Sequence, residues 1–222
     1  MTEIVINPTL TAVTRGVNGL STIERTQIAQ ALTQARALAL NAQTQTARAI
    51  QELGLPNKDV FDLGPNFVAA LRTCFALPPL TQPEANIVAL PTLTYVNRYY
   101  ARIIAGLQGH VELVSMDPGT QIANAFRGLV GAGQTRGYVR GGNLVRSQGL
   151  AEAPGRMHID FSNLANTADT ARVIVHEASH KYCGTVDHAY FGSFNTLDFV
   201  KAKNNADSYA YFAATAGLAW NV

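Results

Sequence analysis

A chain of 222 residues, 47% hydrophobic and only 14% charged, can bury a core of its own as one large domain or two small ones. Its formal net charge of +2 sets up no strong field, so neither nucleic acid nor an acidic membrane surface is implied as a partner. Two cysteines, Cys74 and Cys183, are too few for a disulfide framework and are read as free, and no apolar run approaches the ~20 residues of a membrane span.

The run from Met1 to Pro8 lacks a basic stretch followed by an apolar one, so no secretory signal is expected there. The first two thirds of the chain read as mainly helical. Ser21-Thr22-Ile23-Glu24 is a capping box that opens an Ala- and Gln-rich helix running to about Gly54, with Ile28, Leu32, Ala35 and Ala39 on its buried face. Pro65 begins a second helix, Asn66 to Ala76, ended by Pro78-Pro79. A third, from about Leu93 to Leu107, carries Tyr95, Tyr99, Tyr100, Ile103 and Ile104, a stripe suited to a core.

Between Gly109 and Leu164 the pattern shortens. His110 to Val114, Gly137 to Arg140 and Arg156 to Phe161 are expected strands, each bounded by Gly, Pro or Asp. Arg136, Arg140 and Arg146 lie in a Gly-rich stretch that reads as a solvated loop, and Gly131, Gly133 and Gly137 miss the spacing of a phosphate cradle. His110 and His158 read as ordinary strand side chains.

The most informative residues follow. His176-Glu177-Ala178-Ser179-His180 on a helix puts two imidazoles four positions apart on one face, where they can grip one Zn²⁺, with the Glu placed to act as general base on a water the metal activates. Asn166 or Thr167 can cap this helix, and Ile174, Val175 and Ala178 pack it inward. A catalytic zinc usually takes a third protein ligand. No Glu follows Glu177, which leaves Asp187, His188, Asp198 and Asp207. A metzincin arrangement fails, because Cys183 and Val186 stand where its Gly and third ligand belong and Met1, Met116 and Met157 all precede the motif. Cys183, three past the second His, points off the metal-binding face. Asp198 reads as a cap or a solvated side chain, and Tyr209 and Tyr211 as packing.

Gly184-Thr185-Val186-Asp187-His188-Ala189-Tyr190-Phe191-Gly192 lets the chain turn back after the helix and present a carboxylate. With Asn205-Ala206-Asp207-Ser208-Tyr209 and Tyr211-Phe212-Ala213, this run resembles the aspzincins, the deuterolysin and peptidyl-Lys metalloendopeptidase group, from about Thr170 to Ala214. The resemblance implies His176, His180 and Asp187 as ligands of one Zn²⁺, Glu177 as the catalytic base, Tyr190 steadying the oxyanion, and Asp207 binding substrate. It also implies that Arg156 to Phe161 is the edge strand lining the cleft, beside which a substrate can add as an extended strand. Two departures stand out. Phe191 separates a Tyr and a Gly that the family usually has adjacent, and Ala210 replaces the Glu that helps lysine-specific members bind the substrate Lys, leaving Asp207 alone to favour a basic side chain.

The expected fold is therefore α+β and helix-dominated: a zincin-like core with a small sheet and a zinc-binding helix. A helical part, 1–108, and a catalytic part, 109–222, are expected in one compact unit. The expected activity is zinc-dependent hydrolysis of protein or peptide substrates, with no nucleic-acid or membrane partner. The family implies work outside the producing cell, reached by processing or by a non-classical export route. The competing reading is a non-catalytic binding or delivery module with a structural metal. Closed structural sites prefer four ligands and Cys thiolates, and Glu177 would have no purpose in one.

Overall fold

The structure is a computed structural model that describes residues 1–14, 19–77, 82–115, 137–139 and 155–219. Helices predominate beside a small mixed sheet, so the chain is a helix-dominated α+β protein. The strands are β1 (Thr2–Asn7), β2 (Leu10–Thr14), β3 (Val111–Ser115), β4 (Gly137–Val139) and β5 (Met157–Ile159), in the order β1-β2-β3-β5-β4. β2, β3 and β5 run parallel, whereas β1 and β4 lie antiparallel to their neighbours at the two edges. Residues 136, 140 and 146 and the Pro78-Pro79 helix stop lie outside the described residues.

Two sequence expectations are corrected here. The first is the helical reading of the N-terminal part, which opens instead on the β1–β2 hairpin. Its local code is present: Ile4-Val5-Ile6 and Leu10 to Thr14, with β-branched Thr11, Val13 and Thr14, flank a turn in which Asn7 Oδ1 accepts from the Thr9 backbone N–H at 3.0 Å. The second is the edge strand. β5 is interior, paired with β3 at Leu113↔Met157 and with β4 at Tyr138↔His158. A strand with neighbours on both sides has no free row of backbone groups to offer a substrate, and among the described residues the edge at this end is β4.

Helix α1 (Thr22–Leu53) begins at the Ser21 capping box, with Glu24 N–H to Ser21 Oγ at 3.2 Å and Ser21 N–H to Glu24 Oε2 at 2.8 Å, and ends at Gly54. Its buried face is mostly alanine, Ala31, Ala35, Ala39, Ala42 and Ala49, so other helices approach it closely. α2 (Pro65–Phe75) follows a Gly64 in positive φ, 83°. α3 (Gln82–Gln108) starts well before Leu93 and runs through Pro91. Pro91 and Ile87 are both exposed, so the Ile87 carbonyl that the missing N–H leaves unpaired can reach water. Asn97 Nδ2 ties α3 to α1, donating to the Gln43 carbonyl and to Thr46 Oγ1, each at 2.9 Å.

The C-terminal helices are α4 (Thr167–Cys183), the short α5 (Phe199–Ala202) and α6 (Ala206–Ala219). α4 packs against α1, α3 and α6, and α6 against α1 and α2. One aromatic cluster seats α6: Phe67, Phe75 and Tyr100 surround Tyr209 and Phe212 with mostly edge-on rings 5.3 to 6.2 Å apart, and the Tyr100 hydroxyl donates to the Tyr209 carbonyl at 2.6 Å. A continuous core extends from Ile4 to Ala216.

α3 and α4 meet at Gly106, where a Cβ would lie 2.4 Å from the Tyr182 ring. Gly106→Ala should therefore lower the melting temperature although alanine favours helix by about 1 kcal/mol, because overpacking costs typically 1 to 3 kcal/mol. Adding Tyr182→Ala should abolish that penalty in a double-mutant cycle; additive losses would refute the contact as the cause.

Candidate metal centre

Helix α4 opens on Asn166, whose Oδ1 accepts from the Asp169 N–H at 3.2 Å, and closes on Gly184 in the left-handed region (φ 67°), whose N–H returns to the His180 carbonyl. Ile174, Val175 and Ala178 are fully buried against the core. The spacing of four places Arg172, His176 and His180 in one row. That row is sunk into the protein, with His176 7%, His180 9% and Glu177 1% exposed.

Past Gly184 the chain is pinned at several points. Ser179 Oγ donates to the His176 carbonyl at 2.8 Å and so accepts from the Thr185 hydroxyl, also at 2.8 Å. Val186 forms a parallel bridge with Asn205, and the buried Asn205 Oδ1 accepts from the backbone N–H of His188 (2.9 Å) and of Ala189 (3.1 Å). Held this way, Asp187 Oδ1 lies 3.1 Å from His176 Nε2 and 3.2 Å from His180 Nε2.

The tautomers follow from the partners of the other ring nitrogens. His180 Nδ1 is 2.7 Å from the Thr185 carbonyl, which can only accept, and His176 Nδ1 is 3.0 Å from Asp207 Oδ1. Both Nδ1 atoms therefore carry hydrogen, and once the rings are neutral the lone pairs of both Nε2 atoms face each other at 3.1 Å. Two lone pairs and a carboxylate oxygen then converge, an arrangement that repels unless protons or a metal cation lie among them. Their separations are close to the ~3.3 Å that ligands of a tetrahedral Zn²⁺ keep at bond lengths of about 2.0 Å. His176, His180 and Asp187 can thus hold one metal ion, and two imidazoles with a carboxylate suit zinc.

The charges agree with that fit. Burial would lower the His176 imidazole, but Asp187 and Asp207 hold it well above its ordinary range, and Asp187 raises His180 against burial as well. Burial would raise Asp187, yet the two imidazoles hold its carboxyl well below the usual range. The cluster seeks positive charge. Glu177 borders it, Oε1 3.9 Å from His176 Nε2, and burial pushes its carboxyl up to about 7 against the pull of both imidazoles. Its buried Oε2 has no hydrogen-bond partner among the described residues.

Tyr190 stands at the rim, 37% exposed, its ring parallel to that of His176 at 6.1 Å. Burial, then its hydrogen bond to Asp187, holds its hydroxyl firmly protonated. Asp207, expected to bind substrate, lies behind His176. It is buried, with Oδ1 accepting from His176 Nδ1 and from Arg172 (3.1 Å) and Oδ2 from the Phe191 N–H (2.8 Å). His188 turns away from the cluster, its Nε2 3.3 Å from Asn204 Nδ2. Asp198 caps α5, and Tyr209 is core. Both cysteines are free and buried; Cys183 Sγ faces the Tyr99 carbonyl on α3, and burial pushes both thiols up to about 12. The sequence gives Arg172 no role, although it lies four residues before His176 in the same row, and gives Asn205 none beyond its place in the second family stretch.

Two imidazoles, a returning carboxylate and an adjacent buried carboxyl form a site suited to metal-assisted hydrolysis. Residues 157–214, from β5 into α6, match the aspzincin family model, described as lysine-specific metallo-endopeptidase. That match supports a zinc metalloendopeptidase with a protein or peptide substrate. No curated protein and no solved structure matches the chain.

Elemental mass spectrometry of zinc-reconstituted protein should find close to one zinc per chain. Asp187→Ala should lose most of it and His188→Ala should keep it; the reverse pattern would exchange the two residues' roles.

Proposed function

We propose that the chain is a zinc-dependent endopeptidase in which His176, His180 and Asp187 hold one Zn²⁺ and Glu177 is the general base. The observation that carries this reading is the convergence of three electron-pair donors, two of them imidazoles whose Nδ1 atoms are engaged elsewhere, beside a buried carboxyl with an oxygen unpartnered among the described residues. The family match over 157–214 supports it independently.

Zinc bound there supplies Lewis acidity toward the scissile carbonyl and acidifies water. Glu177, whose carboxyl burial raises to about 7 in the metal-free site and which a nearby Zn²⁺ would draw back toward the carboxylate, is placed to take a proton from the attacking water at neutral pH. It returns that proton to the leaving amine as the C–N bond breaks. Tyr190 can leave Asp187 and donate to the carbonyl oxygen as negative charge builds there, an interaction worth roughly 3 kcal/mol for a well-placed donor. Thr185 and Asp207 keep the imidazoles oriented throughout by accepting from their Nδ1–H groups.

The family description names lysine, but this chain is inferred not to be confined to it. Ala210 is buried, and Asp207 is enclosed by its three donors, so neither position presents a carboxylate to a substrate ammonium. Aspzincins are typically secreted, which supports work outside the producing cell.

The test is hydrolysis of denatured casein and of a mixed peptide library read by mass spectrometry, abolished by chelator and restored by zinc. Glu177→Gln should keep zinc and lose roughly 10² to 10⁴-fold in turnover; undiminished turnover would remove Glu177 as the base. Tyr190→Phe should lower kcat by about 10²-fold with little change in KM. Cleavage sites in the library should not be restricted to lysine.

A further inference from the structure

We propose that Arg172 is a positioning residue for this site, fixing through the single carboxylate of Asp207 both the direction of the His176 imidazole and the backbone that carries Tyr190. The inference rests on the zinc reading above and adds a residue outside the ligand set.

Asp207 is a hub with two sides. Its Oδ1 accepts from His176 Nδ1 at 3.0 Å and from an Arg172 terminal nitrogen at 3.1 Å, while its Oδ2 accepts from the backbone N–H of Phe191 at 2.8 Å. Phe191 directly follows Tyr190, so one buried carboxylate links a metal-facing imidazole to the rim residue that faces the carbonyl oxygen.

Arg172 holds that hub from two directions. The rest of its guanidinium, Nε and the other terminal nitrogen, lies on Asp169 Oδ1 at 3.3 and 3.1 Å, and Asp169 Oδ2 is held by Asn163 Nδ2 at 2.9 Å. The fork is therefore oriented from the first turn of α4. Its central carbon also sits 4.7 Å from the centroid of the Tyr211 ring, and Tyr211 stacks on Phe191 with centroids 4.0 Å apart and planes 12° from parallel. Arg172 thus reaches Phe191 by charge through Asp207 and by ring contact through Tyr211.

A carboxylate oxygen that accepts two charge-assisted hydrogen bonds is held in direction as well as place. Without Arg172, the Asp207 carboxylate keeps only His176 and Phe191 and can rotate. The imidazole then loses its fixed aim, a change that in metal sites costs 10 to 100-fold in affinity or activity. Lysine cannot replace this function fully, because one ammonium cannot span two carboxylates and lie flat on a ring.

The experiment measures zinc affinity by competition with a chromogenic chelator for the parent, Arg172→Met, Arg172→Lys and Asp169→Asn. Melting temperatures of the metal-free proteins are taken alongside, and kcat and KM at saturating zinc on a peptide the parent cleaves. Arg172→Met should bind zinc about 10 to 100-fold more weakly and, when saturated, show a reduced kcat with KM moved less than about threefold. Arg172→Lys should recover part of the affinity. Asp169→Asn, which loosens the fork without touching Asp207, should shift it the same way by a smaller factor and serves if Arg172→Met does not fold. Zinc affinity within about twofold of the parent in the Arg172 variants, whatever their melting temperatures, overturns the proposal and leaves the zinc site standing. A parent that takes up no zinc overturns both.

Discussion

Three electron-pair donors held about 3 Å apart inside a protein are stable only around positive charge, and much of the C-terminal half is arranged to keep them there. Each imidazole has its outer nitrogen tied to an acceptor, so neither ring can flip to relieve the crowding. Asp187 cannot withdraw, because the chain on either side of it is held: Thr185 by Ser179, and Val186 and His188 by Asn205. A donor set that resists relaxation in the absence of a cation is preorganised to receive one.

The same constraint joins the site to the core. α6 carries Asp207 on one face, while Tyr209 and Phe212 on the same helix enter the aromatic cluster with Phe67, Phe75 and Tyr100. α4 carries the histidines and is braced by the alanine face of α1 and by Gly106 of α3, against which Tyr182 lies. The N-terminal helices hold no candidate site residue, yet they set the spacing on which the site depends.

Charge inside this region is carried in pairs or networks, as burial requires. Arg172 answers both Asp169 and Asp207, and Asp207 answers His176. Glu177 is the exception, with an oxygen that meets no partner among the described residues. A carboxyl left unsatisfied in an otherwise satisfied pocket is costly for stability, and such cost is commonly found where a group must exchange protons.

Local codes made a good part of this legible beforehand. The Ser21 capping box, the stop at Gly54, the Pro65 start and the Gly184 turn all act within a few residues, and the two histidines share a face because a helix repeats every 3.6 residues. The β1–β2 hairpin is also written locally, in short runs rich in Ile, Val and Thr around an Asn-Pro turn, but neither run alternates, so the period-2 signal of a strand is missing. The third helix was expected only from about Leu93, whereas the exposed position of Pro91 lets α3 run through it from Gln82. Whether β5 is an edge depends on residues 137–139 reaching it across the intervening chain, and no pattern within 156–161 records that. The partners of Asp207 are beyond the reach of local pattern for the same reason: His176, Arg172 and Phe191 are 16 to 35 residues away. By itself, then, the sequence determined which residue types stand at helical and turn spacing, and so the candidate ligands and base. Only the tertiary structure decided which carboxylate faces the metal position and which supports it from behind, because direction and burial arise from contacts between distant segments.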